Sequence, residues 1–194
     1  MRTGAEEAAQ AALNAGVRLF QYRNKSGTRR AIYDACLRLA VLLKRSGAVF
    51  IVNDHADIAM AVAADGVHLG QDDLPAEAAR SFMGSGKIIG VSTHSIAQAL
   101  AAQSAGADYV GFGPLFTTTT KSAGPHQGIE NLRKVREAVT LPVLAIGGIN
   151  GGNLDDVLRA GADGVAVISA VLAAPDLYEA ARSMVDRVQR TLIS

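Results

Sequence analysis

A chain of 194 residues, 49% of them hydrophobic, is long enough for one domain with a substantial core. Nineteen basic residues against eighteen acidic ones leave a net charge of +1, no field that would attract nucleic acid or anionic lipid. One cysteine excludes an internal disulfide, and no apolar run reaches the ~18 residues of a membrane span, which reads as a soluble cytoplasmic protein.

The chain opens on TGAEEAAQAALNAG (3–16), whose spacing predicts a helix. VRLFQY (17–22) is the first strand, running into the polar segment QYRNK (21–25). RRAIYDACLRLAVLLKRSG (29–47) is helical and carries Cys36 with no residue nearby to activate a thiol. AVFIVN (48–53) and GVHLG (66–70) are the next strands, ending in Asn53–Asp54 and in GQDD (70–73). KIIGVS (87–92) ends in STHS (92–95) and is followed by helical SIAQALAAQSAGA (95–107). DYVGFG (108–113) leads into GPLFTTTTKSAGP (113–125). LPVLAIGG (141–148) ends in GGIN, DGVAVIS (163–169) ends in ISA (168–170), and residues 175–192 close the chain as a helix.

Continuous apolar strands separated by helices predict a parallel sheet covered by helices. The segments LNAGVRLFQ, VAADGVHLG, QSAGADYVGFG and LRAGADGVAVIS echo one another as helix end, small-residue turn and strand. With no linker or low-complexity tract, the reading is a single α/β domain over residues 1–194, a TIM (β/α)8-type barrel. A doubly wound open sheet is the alternative. Such a barrel needs eight strands, and seven are read. The expectation is that the first strand is missing from this chain and lies upstream of residue 1; otherwise seven strands close or gape, leaving two edges unpaired.

Polar residues crowd the C-terminal strand ends, where barrels of this type carry their active sites. Asp54 and either Asp72 or Asp73 follow adjacent strands, within range to share Mg²⁺, although an aspartate there also suits the N-cap of a helix starting near Pro75. Arg23, Lys25 and Lys121 aim three cations at the same mouth, as a polyanion requires. GGI (147–149) and ISA (168–170) occupy the usual place for a phosphate held by backbone amides. His55, His68, His94 and His126 are scattered and read as packed or solvated side chains.

QYRNK, VNDHADIAMAVAADGVHLGQDDLP, GVSTHS, DYVGFGPLFTTTTKSAGP, AIGGI and ADGVAVIS together resemble the thiamine-phosphate synthase (thiamine-phosphate pyrophosphorylase) family, in order and with its spacing. The resemblance implies a barrel that joins 4-amino-2-methyl-5-pyrimidinylmethyl diphosphate to thiazole phosphate, plain or carboxylated, releasing pyrophosphate. It implies Mg²⁺ held by Asp54 and Asp73. It implies a pyrimidine-diphosphate site at Gln21, Arg23, Lys25, Asn53, Ser92 and Lys121, with Arg23, Lys25 and Lys121 assisting departure of the diphosphate. The thiazole phosphate falls to Thr118, Thr119, Thr120, Gly148, Ile168 and Ser169. One departure is Thr117, where the family commonly has proline. The partners implied are small molecules, with neither nucleic acid nor membrane, and an open barrel edge leaves room for a second subunit. A thiazole tautomerase, a sugar-phosphate isomerase or epimerase using Asp54 as base, and a barrel that binds thiazole phosphate without turnover are the rival readings.

Overall fold

The structure, a computed structural model, describes residues 4–117 and 126–193. Seven strands follow one another in the chain: β1 (Leu19–Tyr22), β2 (Val49–Asn53), β3 (Gly66–Leu69), β4 (Ile88–Thr93), β5 (Tyr109–Phe112), β6 (Val143–Ile146) and β7 (Gly164–Ala166). They form one sheet in the order β1 to β7, every neighbouring pair parallel, curled as part of a TIM-like barrel. All seven strands read from the sequence are present, and the eighth is absent among the described residues.

Nine helices accompany the strands among the described residues: α1 (Ala5–Asn14), α2 (Arg29–Arg45), α3 (Ala56–Ala61), α4 (Ala76–Met83), α5 (Ile96–Ser104), α6 (Gly128–Ala138), α7 (Leu154–Arg159), α8 (Ser169–Leu172) and α9 (Leu177–Ile193). Thr28 and Ser95 start α2 and α5 by accepting the N–H groups of Ala31 and Gln98, which satisfies donors that a helix start leaves without partners. No helix is long and apolar enough to cross a membrane among the described residues. Because α9 packs on both α7 and α1, the helical layer joins last helix to first across the place where β1 and β7 do not pair.

Period-two alternation sorts the strand side chains into two sets. Phe50, Val52, Val67, Leu69, Ile89, Val110, Phe112 and Val143 face the helices and form the core with Leu39, Leu43, Leu132 and Leu154. Their partners in alternation, Gln21, Ile51, Asn53, His68, Ser92 and Tyr109, face the barrel interior, and glycines 66, 90 and 111 lie in the same rows. Leu19 is also on this face and is 44% exposed, as expected of a strand at an unpaired edge.

At the opposite end of the barrel the sequence echo has a physical cause. Asp65, Asp108 and Asp163 each precede an odd-numbered strand. Each donates its backbone N–H to the preceding strand (Phe50, Ile89 and Val143 carbonyls) and accepts that same residue's N–H on Oδ2, at 2.7, 2.7 and 2.8 Å. The carboxylate thus finishes a ladder that the strand start would leave open. Arg80 braces Asp108 at 2.6 Å and Arg136 reaches Asp163 at 3.5 Å. Asp108→Ala is expected to cost about 1–3 kcal/mol by stranding the Ile89 N–H. Asp108→Asn, which keeps an acceptor oxygen, should cost clearly less. Chemical denaturation of the two variants makes the comparison, and equal losses would refute the role.

Candidate active site

Because the sheet is parallel, all seven strand ends open on one mouth. The first polar group there is built by a local turn. Asn24 Oδ1 accepts the N–H groups of Ser26 and Gly27 at 3.2 and 2.9 Å, folding the chain back just after β1. Lys25 is thereby directed to Asp54, with Nζ 2.5 Å from Oδ2. Arg23 is partly exposed and enters no ion pair among the described residues.

Asp54 leaves the end of β2 with φ of 66°, a left-handed conformation that aspartate tolerates better than most residues. Its N–H still continues the ladder by bonding the His68 carbonyl at 2.8 Å. Its carboxylate meets that of Asp73, from the loop after β3, at hydrogen-bond range. Burial pushes the Asp54 carboxyl up, but Lys25 and the Asp73 contact outweigh it, so the group sits below its ordinary value. Asp73 Oδ2 also accepts the Gly70 N–H at 2.7 Å. The helix-capping alternative falls away, since α4 is capped by Pro75 with no side-chain bond, and Asp72 is exposed.

Two carboxylates in contact need a proton or a cation between them. Among the described residues no group of three or more His, Cys, Asp or Glu side chains gathers as a metal cage. A two-carboxylate donor set nevertheless fits Mg²⁺, which keeps several waters and takes phosphate oxygens from a substrate.

A second cluster lies across the mouth. Gly147 and Gly148, after β6, have φ of 93° and 69°. The Gly148 carbonyl accepts amide N–H groups from Asn150 and Asn153 at 3.3 and 3.0 Å, which fixes the orientation of its peptide. Ile168 and Ser169 follow β7, the neighbouring strand, both exposed at the start of the four-residue α8. The stem after β5 rests on this cluster: Leu115 and Phe116 donate to the Ile146 and Gly147 carbonyls at 2.9 and 3.1 Å. On its other side, His94 Nδ1 lies 2.5 Å from the Gly113 carbonyl. Thr118, Thr119, Thr120 and Lys121 lie outside the described residues.

Between the clusters, Asn53 is buried at 8% exposure opposite His68 in the ladder. Burial pushes the Tyr109 phenol well up, and the neighbouring Gln21 side chain offsets part of the rise. Ser92 lies 2.8 Å from His68 Nε2. The structure therefore joins Lys25, Asp54 and Asp73 in one cluster, links Ser92 to Tyr109 through His68 with Gln21 beside Tyr109, and sets Gly148, Ile168 and Ser169 at neighbouring strand ends. The sequence reading passed over Asn24, Asn150, Asn153 and Tyr109. The turn-forming run NGGN was the available sign for the second and third.

Residues 2–171 match the model of a family described as thiamine monophosphate synthase. The thiamine-phosphate synthase of Chloroflexus aurantiacus is 49% identical over 176 residues, covering 90% of this chain and 81% of that protein. That of Methanospirillum hungatei is 48% identical over 179 residues, 92% of this chain and 87% of its own length. Among solved structures, thiamine phosphate pyrophosphorylase from Pyrococcus furiosus superposes with a TM-score of 0.91 at 40% identity, covering 98% of this chain and 92% of that one.

Proposed function

The chain belongs to the thiamine monophosphate synthase family, and from that premise we propose that it is an enzyme condensing 4-amino-2-methyl-5-pyrimidinylmethyl diphosphate with thiazole phosphate to give thiamine phosphate and pyrophosphate, with CO₂ released as well when the thiazole is carboxylated. The observation that carries this reading is the separation of two anion-suited clusters on one mouth. Lys25, Asp54 and Asp73 lie after β1 to β3, and Gly148, Ile168 and Ser169 after β6 and β7.

In this reading Lys25 and Arg23 bind the diphosphate and hold charge where it leaves. Asp54 and Asp73 would hold Mg²⁺, which supplies neutralisation of the departing pyrophosphate when bound. The pyrimidine C–O bond breaks, pyrophosphate departs with the electron pair, and the thiazole nitrogen closes the new C–N bond. Thr118 to Thr120, Gly148, Ile168 and Ser169 hold the thiazole phosphate so that the two rings meet, and Lys121 assists departure of the diphosphate. No protein nucleophile is needed. Cys36 is fully buried and burial pushes its thiol up to about 11, which leaves it inert.

The test incubates the purified protein with Mg²⁺, the pyrimidine diphosphate and thiazole phosphate. Thiamine phosphate and pyrophosphate in equal amounts support the proposal. Tautomerised thiazole without thiamine phosphate would replace it with the tautomerase reading, and neither product would leave a binding protein.

A further inference from the structure

The stem after β5 takes one of its hydrogen bonds from a side chain that has no part in the condensation as proposed. Gly113 donates to the Thr93 carbonyl at 3.2 Å, as the ladder from β4 requires. Leu115 and Phe116 donate to the Ile146 and Gly147 carbonyls. The Pro114 and Leu115 carbonyls accept from Gln127 and Gly128 at 2.7 and 3.1 Å. In a parallel ladder the next bond, to the Gly113 carbonyl, would come from the N–H of residue 95. Ser95 already starts α5. The Gly113 carbonyl is met instead by the His94 ring, whose Nδ1 lies 2.5 Å away.

The helix behind holds the ring to that task. Ser95 Oγ accepts the Gln98 N–H at 3.2 Å, and Gln98 Oε1 accepts the His94 N–H at 2.7 Å. This is a capping box whose return bond falls one residue early, and it fixes the His94 backbone to the first turn of α5. A carbonyl only accepts, so His94 carries a hydrogen on Nδ1. The Gly113 peptide has no slack on its far side, since a Cβ there would fall 2.0 Å from the Ile146 carbonyl oxygen. Beyond it Leu115 is fully buried. Phe116 and Thr117 then lie directly against Gly148, where an added Cβ would come 2.7 and 2.8 Å from their atoms. Contacts this close pass a shift at Gly113 on to the glycine cluster.

We propose that His94 is a positioning residue for the thiazole phosphate, its Nδ1–H fixing the Gly113 carbonyl and, through Leu115 and Phe116, the place of Gly148. The inference rests on the synthase reading above. It assigns His94 to the thiazole side although it stands two residues after Ser92, at the end of the strand that serves the pyrimidine diphosphate in that reading. The ring touches neither substrate and moves no proton.

The test combines a set of substitutions with a spectrum. His94→Ala should raise KM for thiazole phosphate about fivefold, the worth of one hydrogen bond, with KM for the pyrimidine diphosphate unchanged. His94→Asn, whose amide nitrogen stands where Nδ1 does, should restore most of the loss. His94→Gln, whose amide nitrogen reaches the place of Nε2, should not. The ¹⁵N spectrum of the wild type at about pH 9, with His94 assigned by its absence in His94→Asn, should show a protonated Nδ1 and a bare Nε2. Equal weakening of both substrates, rescue by Gln as good as by Asn, or a ring protonated on Nε2 would overturn the proposal. Calorimetry with thiazole phosphate repeats the comparison without turnover. A protein that makes no thiamine phosphate therefore defeats the synthase reading, while the calorimetry and the spectrum separately decide the role of His94.

Discussion

Asp73→Asn is expected to lower synthase turnover by about two to three orders of magnitude and to leave thiazole phosphate binding intact. The asparagine keeps an oxygen to accept the Gly70 N–H, which Asp73 now bonds at 2.7 Å, so the loop after β3 retains its shape. What disappears is one of two anionic charges that meet at the mouth beside Lys25. With Asp54 alone, the site would hold a hard cation through a single carboxylate, and charge building on the leaving pyrophosphate would be poorly neutralised. The Mg²⁺ dependence of turnover should shift to higher concentration in step with the loss. Calorimetry with thiazole phosphate supplies the control: loss of both Mg²⁺-dependent turnover and thiazole phosphate affinity to the same degree would contradict the division into two clusters.

Gly148→Ala should do the converse. At φ of 69° an alanine pays about 1–2 kcal/mol for the left-handed backbone. Its methyl would lie 2.7 Å from Phe116 Cβ and 2.8 Å from the Thr117 carbonyl. The peptide cannot rotate away cheaply while Asn150 and Asn153 hold its carbonyl. The stem carrying Thr117 must therefore shift, and KM for thiazole phosphate should rise about tenfold or more, with the pyrimidine diphosphate little affected. Steady-state kinetics on each substrate in turn provide the measurement. A variant that weakens the pyrimidine diphosphate instead would place Gly148 outside the thiazole site.

The barrel was legible because each strand is a short apolar run with a turn on either side, and counting such runs already exposed the deficit of one strand. A carboxylate pair of Asp54 with Asp72 or Asp73 was legible because adjacent parallel strands bring their ends together whatever lies between them, and the family resemblance singled out Asp73. The His68 network was not. Its partners lie 41 and 24 residues from His68 along the chain, and nothing local to a lone histidine reports which strand will face it. The same limit hid the duty of Asp65, Asp108 and Asp163: the echo around them was visible as a turn, but their bonds run to the preceding strand. Asn150 and Asn153 read as loop residues because their task, holding one carbonyl still, depends on Gly148 standing where β6 ends.

The three aspartate latches fall before β3, β5 and β7, so each ties two strands into a cassette. The mouth is divided along the same lines. The β2–β3 cassette carries Asp54 and Asp73, β4–β5 carries Ser92 and Tyr109, and β6–β7 carries Gly148, Ile168 and Ser169. The paired carboxylates and the glycine cluster thus each lie within one cassette, while Lys25 follows β1, outside all three. The bonds from His68 to Ser92 and Tyr109 cross a seam between cassettes. They tie together two parts that the latches leave free to vary separately.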